Sequence, residues 1–357
     1  MNVDEINDQR KIKEFKGITF SKFKKSEAKK QLIKSIKSNK VEEACYWSAE
    51  YICSGHFLEL WEIIFLIVGK HIHLGNPKLP TYIELRLNLF KDILNNGYID
   101  NELKIRNNIK IRKLFAEVIC VLCYSRKKNS FEVPKIEKCE YNVINISHRL
   151  NADNVHYARK IFRKGDPQEL FLAINELSWS LERKNVNMNN AVYWIEWILG
   201  FESLSKKEKK ITYKCENRNI SVSPPNQNDI IWMVWDVILG EAHKRGKGIK
   251  SIIESLLNIF CLKYSQGIKR KRKFLIYFSL SLLCDHVNNN IKIANNIEAT
   301  QKIMSKINTI YKQIKKNEVK PQTDYLFNNS LNAGNLEKTI SKLDKINNLN
   351  NLIIRNN

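Results

Sequence analysis

The chain has 357 residues, 43% of them hydrophobic, and its 60 Lys and Arg against 37 Asp and Glu give a formal charge of +23. A chain this long can bury a core without disulfides or structural metals. The charge disfavours a basic partner and points to a polyanion, either nucleic acid or an acidic surface.

The opening MNVDEINDQRKIKEFK is charged throughout and does not read as a secretory signal. The longest apolar runs, IIFLIVG (63–69) and FLIYFSLSLLC (274–284), fall far short of the roughly 20 residues a membrane span needs. Most of the eight cysteines sit in apolar periodic stretches. They read as small buried hydrophobes of a reducing, intracellular compartment. With only 12 Gly and 7 Pro, and with helical periodicity dominant, the expected class is all-α.

In chain order, residues 1–25 form a basic lead-in, FKGITFSKFKK, expected to be extended or partly ordered. A first helical subdomain covers 26–130, with helices over 26–38, 41–54 and 56–70. The turn GNPKLP follows, then a fourth helix capped by Thr81 and running to about Leu94, and an amphipathic segment over 107–126. Residues 131–150 read as a linker. A second subdomain covers 151–287. In it DPQEL offers Asp166 as a cap and Pro167 as the first helical residue. A polar, basic insertion over 205–228 interrupts this block. Apolar helices then follow at 229–243, at 248–264 and after KRKRK. Residues 288–357 are expected to hold one amphipathic helix, 297–315, and a loose polar tail.

A faint repeat links the halves. EAKKQLIKSIKSNKVEEACYWSAEYI and ELFLAINELSWSLERKNVNMNNAVYWIEWI both read as helix, turn, helix. Ala44, Tyr46 and Trp47 align with Ala191, Tyr193 and Trp194. The expected architecture is therefore two related multi-helix subdomains.

ACYWSAEYICSGHFLELW (44–61) carries two cysteines and a histidine among aromatics. On a helix, Val41, Ala44, Cys45, Trp47 or Ser48, Tyr51 and Ile52 share one broad face, the pattern of core. Two chemical readings compete with it. A thiol nucleophile needs a base such as His56 near Cys53. Cys53, His56, His71 and His73 also have the residue types of a zinc set, although an apolar helix separates the pairs. Cys120 and Cys123 lie one helical turn apart with no second pair, which favours packing.

The segment Ala44, Tyr46, Trp47, Ala49, Gly55, Gly75, Asn76, Pro77 resembles the helical C-terminal domain of the RarA/MgsA and Werner-helicase-interacting ATPases. That resemblance implies a clamp-loader-type helical collar used for oligomerisation. It does not imply ATPase activity, because the chain has no G-x-x-x-x-G-K-[ST]. Through YWSAEYICSGHFLELWE, HIHLGNPKLP, YWIEWIL and DIIWMVWD the whole chain also resembles a family of nucleocytoplasmic large DNA virus proteins. That likeness implies a place in an infected host cell or virion and no particular reaction.

Two further aromatic helices carry Glu196 and Asp236, a pair able to act as acid and base if they face one cleft. Trp194, Trp197, Trp232 and Trp235 suit base stacking or, at three-residue spacing, core. Three basic runs fall at the ends of apolar helices: Lys206, Lys207, Lys209 and Lys210; Lys244, Arg245 and Lys247; and Lys269, Arg270, Lys271, Arg272 and Lys273. These twelve are the candidate phosphate contacts, without base readout. The expected protein is a non-enzymatic basic accessory factor for nucleic acid or a replication or transcription assembly, with no cofactor. The other expectations are a virion scaffold that neutralises nucleic acid or an acidic partner, and a zinc protein or enzyme.

Overall fold

The computed structural model describes residues 5–8, 10–95, 101–288 and 290–319. Among them there is no sheet, and an isolated antiparallel bridge joins Ile18 and Lys24. The class is all-α. No helix among the described residues is long and apolar enough to cross a membrane. The tail expected over 320–357 lies outside the described residues.

The first hairpin is α1 (Lys25–Lys37) and α2 (Val41–Cys53), turning at Asn39 in the left-handed region (φ 56°). α1 buries one stripe, Ala28, Leu32 and Ile36, whereas α2 is buried nearly all round. Gly55, at φ 74°, ends α2 and frees the chain for α3 (Phe57–Leu66). The expected helix over 56–70 then changes character. It widens into a π turn, Ile67–Ile72, where Gly69 lies against the backbone of Phe274. α4 (Leu79–Asn95) starts two residues before the expected cap Thr81, because Pro80 fits the first turn of a helix. α5 (Glu102–Asn107) and α6 (Ile109–Tyr124) complete this half, and the Asn108 side chain caps α6.

In the second half α7 (Phe171–Leu181) and α8 (Met188–Leu204) make another hairpin. Asp166 does not cap α7 as expected. It is fully buried against Arg218, and three residues of 3-10 helix precede α7 instead. α9 (Ile231–Arg245), α10 (Lys247–Cys261), α11 (Gln266–Lys271) and α12 (Lys273–Cys284) follow. α13 (Ile297–Lys315), as expected from the sequence, lies across α2 and α6 with Ile307, Tyr311 and Ile314 buried.

The aligned aromatic pairs adopt the same geometry. Tyr46 and Trp47 meet edge to face at 5.4 Å, and Tyr193 and Trp194 at 5.2 Å. They differ in depth, since Trp194 is fully buried and Trp47 is half-buried beside α13. The two helical blocks share one continuous hydrophobic core: α4 packs on α10, and α12 packs on the π turn. The lead-in is held firmly, with Ile6, Phe15 and Phe20 fully buried and Arg106 Nη1 donating 2.7 Å to the Arg10 carbonyl.

Candidate nucleic-acid interface

The tryptophans and thiols of the sequence are largely core. Trp61, Trp194, Trp197, Trp232 and Trp235 are buried, so base stacking on them is closed off. The indole N–H groups of Trp61, Trp194 and Trp235 have no acceptor. Such orphans each cost about 1–3 kcal/mol, which the buried ring area outweighs. Cys53 is fully buried, and burial pushes its thiol far up, away from thiolate. His56 places Nε2 3.1 Å from the Phe15 carbonyl, His71 meets Asn129, and His73 stacks on Phe278 at 4.8 Å. No three His, Cys, Asp or Glu among the described residues form a metal-holding group. The acid–base pair is also divided: Glu196 is bonded by Lys273 and Tyr277, Asp236 by Arg218.

The basic runs divide between two places. At one end of α9, the run after α8 meets α11. Lys206 Nζ donates 2.8 Å to Gln266 and Arg270 Nη2 donates 2.6 Å to Ser203. Lys207, Lys209, Lys210 and Lys271 are exposed beside them. Lys269, Arg272 and Lys273 point the other way. Lys269 is buried between Glu202 (2.6 Å) and Asp229 (2.7 Å). Arg272 is buried, pairs with Glu62, and caps α10 by donating to the carbonyls of Phe260 (2.8 Å) and Leu262 (2.6 Å). Lys273 pairs with Glu196 at 3.2 Å. These three are structural cations already met inside the protein.

The third run, Lys244, Arg245 and Lys247, lies at the other end of α9. Asp229, which binds Lys269, is fifteen positions before Lys244, so the two places lie about 22 Å apart along the helix axis. Here the run joins a segment that was not a candidate from sequence. Residues 154–163 lie beside α7 and α9 and bound a cleft of about 600 Å3. Their backbone is pinned from α7: Asn175 Oδ1 accepts from Ala158 N–H at 3.1 Å, and Asn175 Nδ2 donates 2.8 Å to the Asn154 carbonyl. The Glu176 carboxylate accepts from the N–H groups of Asn151 and Ala152. Arg245 donates 2.9 Å to the Leu181 carbonyl and ties the ends of α7 and α9 together.

One face of α9 forms a wall of the cleft through Asp236, Val237, Gly240, Glu241 and Lys244. Tyr157, Lys160, Phe162 and Arg163 face it from the pinned segment. Burial raises the Asp236 carboxyl above its ordinary value, and the Arg218 hydrogen bond only partly opposes this. Lys160 of the lining, and Arg159, Lys164, Arg183, Lys184 and Lys247, which stand within three positions of lining residues, are exposed and make no ion pair among the described residues. Comparison with protein-family models, curated proteins and solved structures finds no match to this chain.

The missed cations have a simple explanation. HYARKIFRKG (156–165) interleaves its four charges with Ile161 and Phe162, so it does not read as a basic run. A helix–turn–helix reading with α7 and α9 adjacent would have brought the two sets together.

Proposed function

We propose that the chain is a non-enzymatic nucleic-acid-binding accessory protein that contacts phosphates through these cations. The observation that carries the reading is a set of six exposed cations without ion pairs among the described residues: Lys160, which lines the cleft, and Arg159, Lys164, Arg183, Lys184 and Lys247, each within three positions of a lining residue. Charges gathered without internal carboxylate partners favour a polyanion and cost the fold repulsion in its absence. The exposed lysines after α8 form a second contact.

Binding of a labelled generic oligonucleotide between about 50 and 200 mM salt tests this, because several phosphate contacts lose orders of magnitude in affinity over that range. Charge reversal of Lys160, Lys164 and Lys247 is expected to weaken binding at least tenfold and to flatten the salt dependence. Absence of binding at low salt, or indifference to these reversals, would sink the reading.

A second reading, a subunit of a protein assembly, is favoured by the groove of about 900 Å3 between α2 and α13. Tyr46, Trp47, Ile303 and Ile310 line it, with Lys302 and Lys306 balanced by Glu42 and Glu43, so the apolar side chains carry this second reading.

A further inference from the structure

The groove between α2 and α13 has walls of opposite charge. Its acids, Glu42 and Glu43, come from α2, and its lysines, Lys302 and Lys306, come from α13. Glu43 is shared with Lys40 at 2.8 Å. Glu42, Lys302 and Lys306 are exposed and make no ion pair among the described residues. The apolar lining is Tyr46, Trp47, Ile303 and Ile310, all half-buried. Balanced walls do not call for a polyanion. An apolar seam between two helices, edged by charge, is the form that takes a third, amphipathic helix.

The sequence beyond Val319 carries such a pattern at 336–346. Asn335 is a favoured cap, and Leu336, Ile340, Leu343 and Ile346 recur at i, i+4, i+7 and i+10 with no Gly or Pro among them. On a helix, Glu337 and Asp344 fall on one flank of this stripe, and Lys338, Lys342 and Lys345 on the other. Its acids can then face the α13 lysines while its lysines face the α2 acids. Laid the opposite way, like charges would meet, so one direction fits. Such a helix is about 15 Å long, and the groove runs about 21 Å along α13 from Ala299 to Gln313.

The connection suits the same molecule. Where the described chain ends, Val319 N–H donates 2.9 Å to Asp8, Asn7 N–H donates 2.7 Å to Glu318, and Asn317 Nδ2 donates 2.8 Å to Ser21. Gln313, which lines the groove, stands six positions before Val319. Residues 320–335 can reach about 55 Å when extended, more than the groove requires. A tether of this length keeps 336–346 at an effective concentration on the order of millimolar. The described body of a second copy offers less, since Leu85 and Leu89 of α4 make two exposed anchors on a helix face against four here. We propose that residues 336–346 lie as a helix in the α2–α13 groove of their own molecule, with Leu336, Ile340, Leu343 and Ile346 against Tyr46, Trp47, Ile303 and Ile310. This goes beyond both functional readings, and it bars the groove to a protein partner until the segment leaves.

Hydrogen exchange of the full chain, read by mass spectrometry against a synthetic peptide of residues 336–346, tests this. A helix this short is marginal alone, so the peptide exchanges freely. In the full chain the amides of 340–346 are expected to exchange about tenfold or more slowly. Leu343→Asp is expected to return them to the peptide's rate. Lys302→Glu with Lys306→Glu is expected to cut the protection about threefold or more, and adding Glu337→Lys with Asp344→Lys to restore it. Should the α13 pair disturb α13 itself, seen in its own exchange, Glu42→Lys on the opposite wall is expected to cut the protection through Lys338 and Lys342. Exchange as fast as the peptide's overturns the docking. Protection indifferent to the charge reversals places the segment elsewhere and overturns it too. Protection that rises with chain concentration gives the groove to the segment of a second copy and overturns the intramolecular form. Phosphate binding at the cleft is read separately, by the salt titration, and stands or falls apart from these outcomes.

Discussion

Arg218 joins three segments through one guanidinium. It binds Asp166 through Nη1 (2.7 Å) and Nη2 (2.5 Å) and Asp236 through Nε (2.7 Å), and the Arg218 and Asp166 side chains are wholly buried. Burial alone would push the Asp166 carboxyl up. Hydrogen bonds from Arg218 and from the N–H groups of Arg163 and Glu216 outweigh this and hold it below its usual value. Removing one partner leaves a buried charge alone, so Arg218→Met is expected to cost about 3–5 kcal/mol in chemical denaturation. Arg218→Met with Asp166→Leu should recover part of that, because the stranded charge is gone. His73 is the second telling residue. It sits at φ 46°, is 2% exposed, and both ring nitrogens lack partners. Burial, with the nearby Lys128 charge, brings it from 6.5 down to about 4. Folding therefore disfavours its protonation. The stability it supports is complete above about pH 6.5 and is lost as pH falls towards 4, about 3 kcal/mol in all. His73→Asn tolerates the left-handed backbone and does not titrate. Its melting temperature should fall less than the parent's between pH 7 and pH 4.5, and an equal fall in both would refute the assignment.

At the scale of helices, Gly240 offers a clean test of α9. It lies in the helix interior, faces open space and has no positive φ. Gly240→Ala should stabilise the protein by about 1 kcal/mol, read as a raised denaturation midpoint. A loss of stability would mean that the wall of the cleft is not open there. Much of the helix pattern was legible because apolar spacing and breakers act locally. α2 and α13 fall within a residue of where spacing places them. The failures come from distant contacts. The stretch 67–72 widens to a π turn where it meets α12, more than two hundred positions on. Asp166 is taken from its expected cap by Arg218, fifty-two positions away. KRKRK is the instructive case for the site. Read as a charge run, all five cations belong to the surface. On a helical turn, Lys269 and Arg272 stand three apart on the inner side, whereas Arg270 and Lys271 point out. Local sequence supplied the charges, and helix phase together with buried Glu62, Glu202 and Asp229 decided which of them a partner can reach.

For the whole molecule, burial leaves the net charge of +23 on the surface, because among the described residues the six buried cations Arg10, Arg106, Arg112, Arg218, Lys269 and Arg272 are matched by six buried acids, Asp8, Glu50, Asp166, Glu176, Asp229 and Glu241. What remains exposed is concentrated in part at the two ends of α9, the cleft rim and the lysines after α8. A strand touching both must span about 22 Å or more. At the 3.4 Å spacing of phosphates along one strand of a duplex, that is about six or seven nucleotides. An oligonucleotide shorter than this can neutralise one patch at a time. A longer one binds the second patch intramolecularly, with an effective concentration set by the connecting nucleotides. Affinity should therefore rise steeply between strands of about four and about sixteen nucleotides, then level off. The slope of log affinity against log salt should grow over the same range, because each added phosphate contact contributes about 0.7 for a single strand. Reversing Lys206 and Lys207 should remove the length-dependent gain and leave short-strand binding at the cleft rim in place. A salt slope indifferent to strand length would mean that the two ends of α9 never engage one strand, and the protein would then be a single-patch binder.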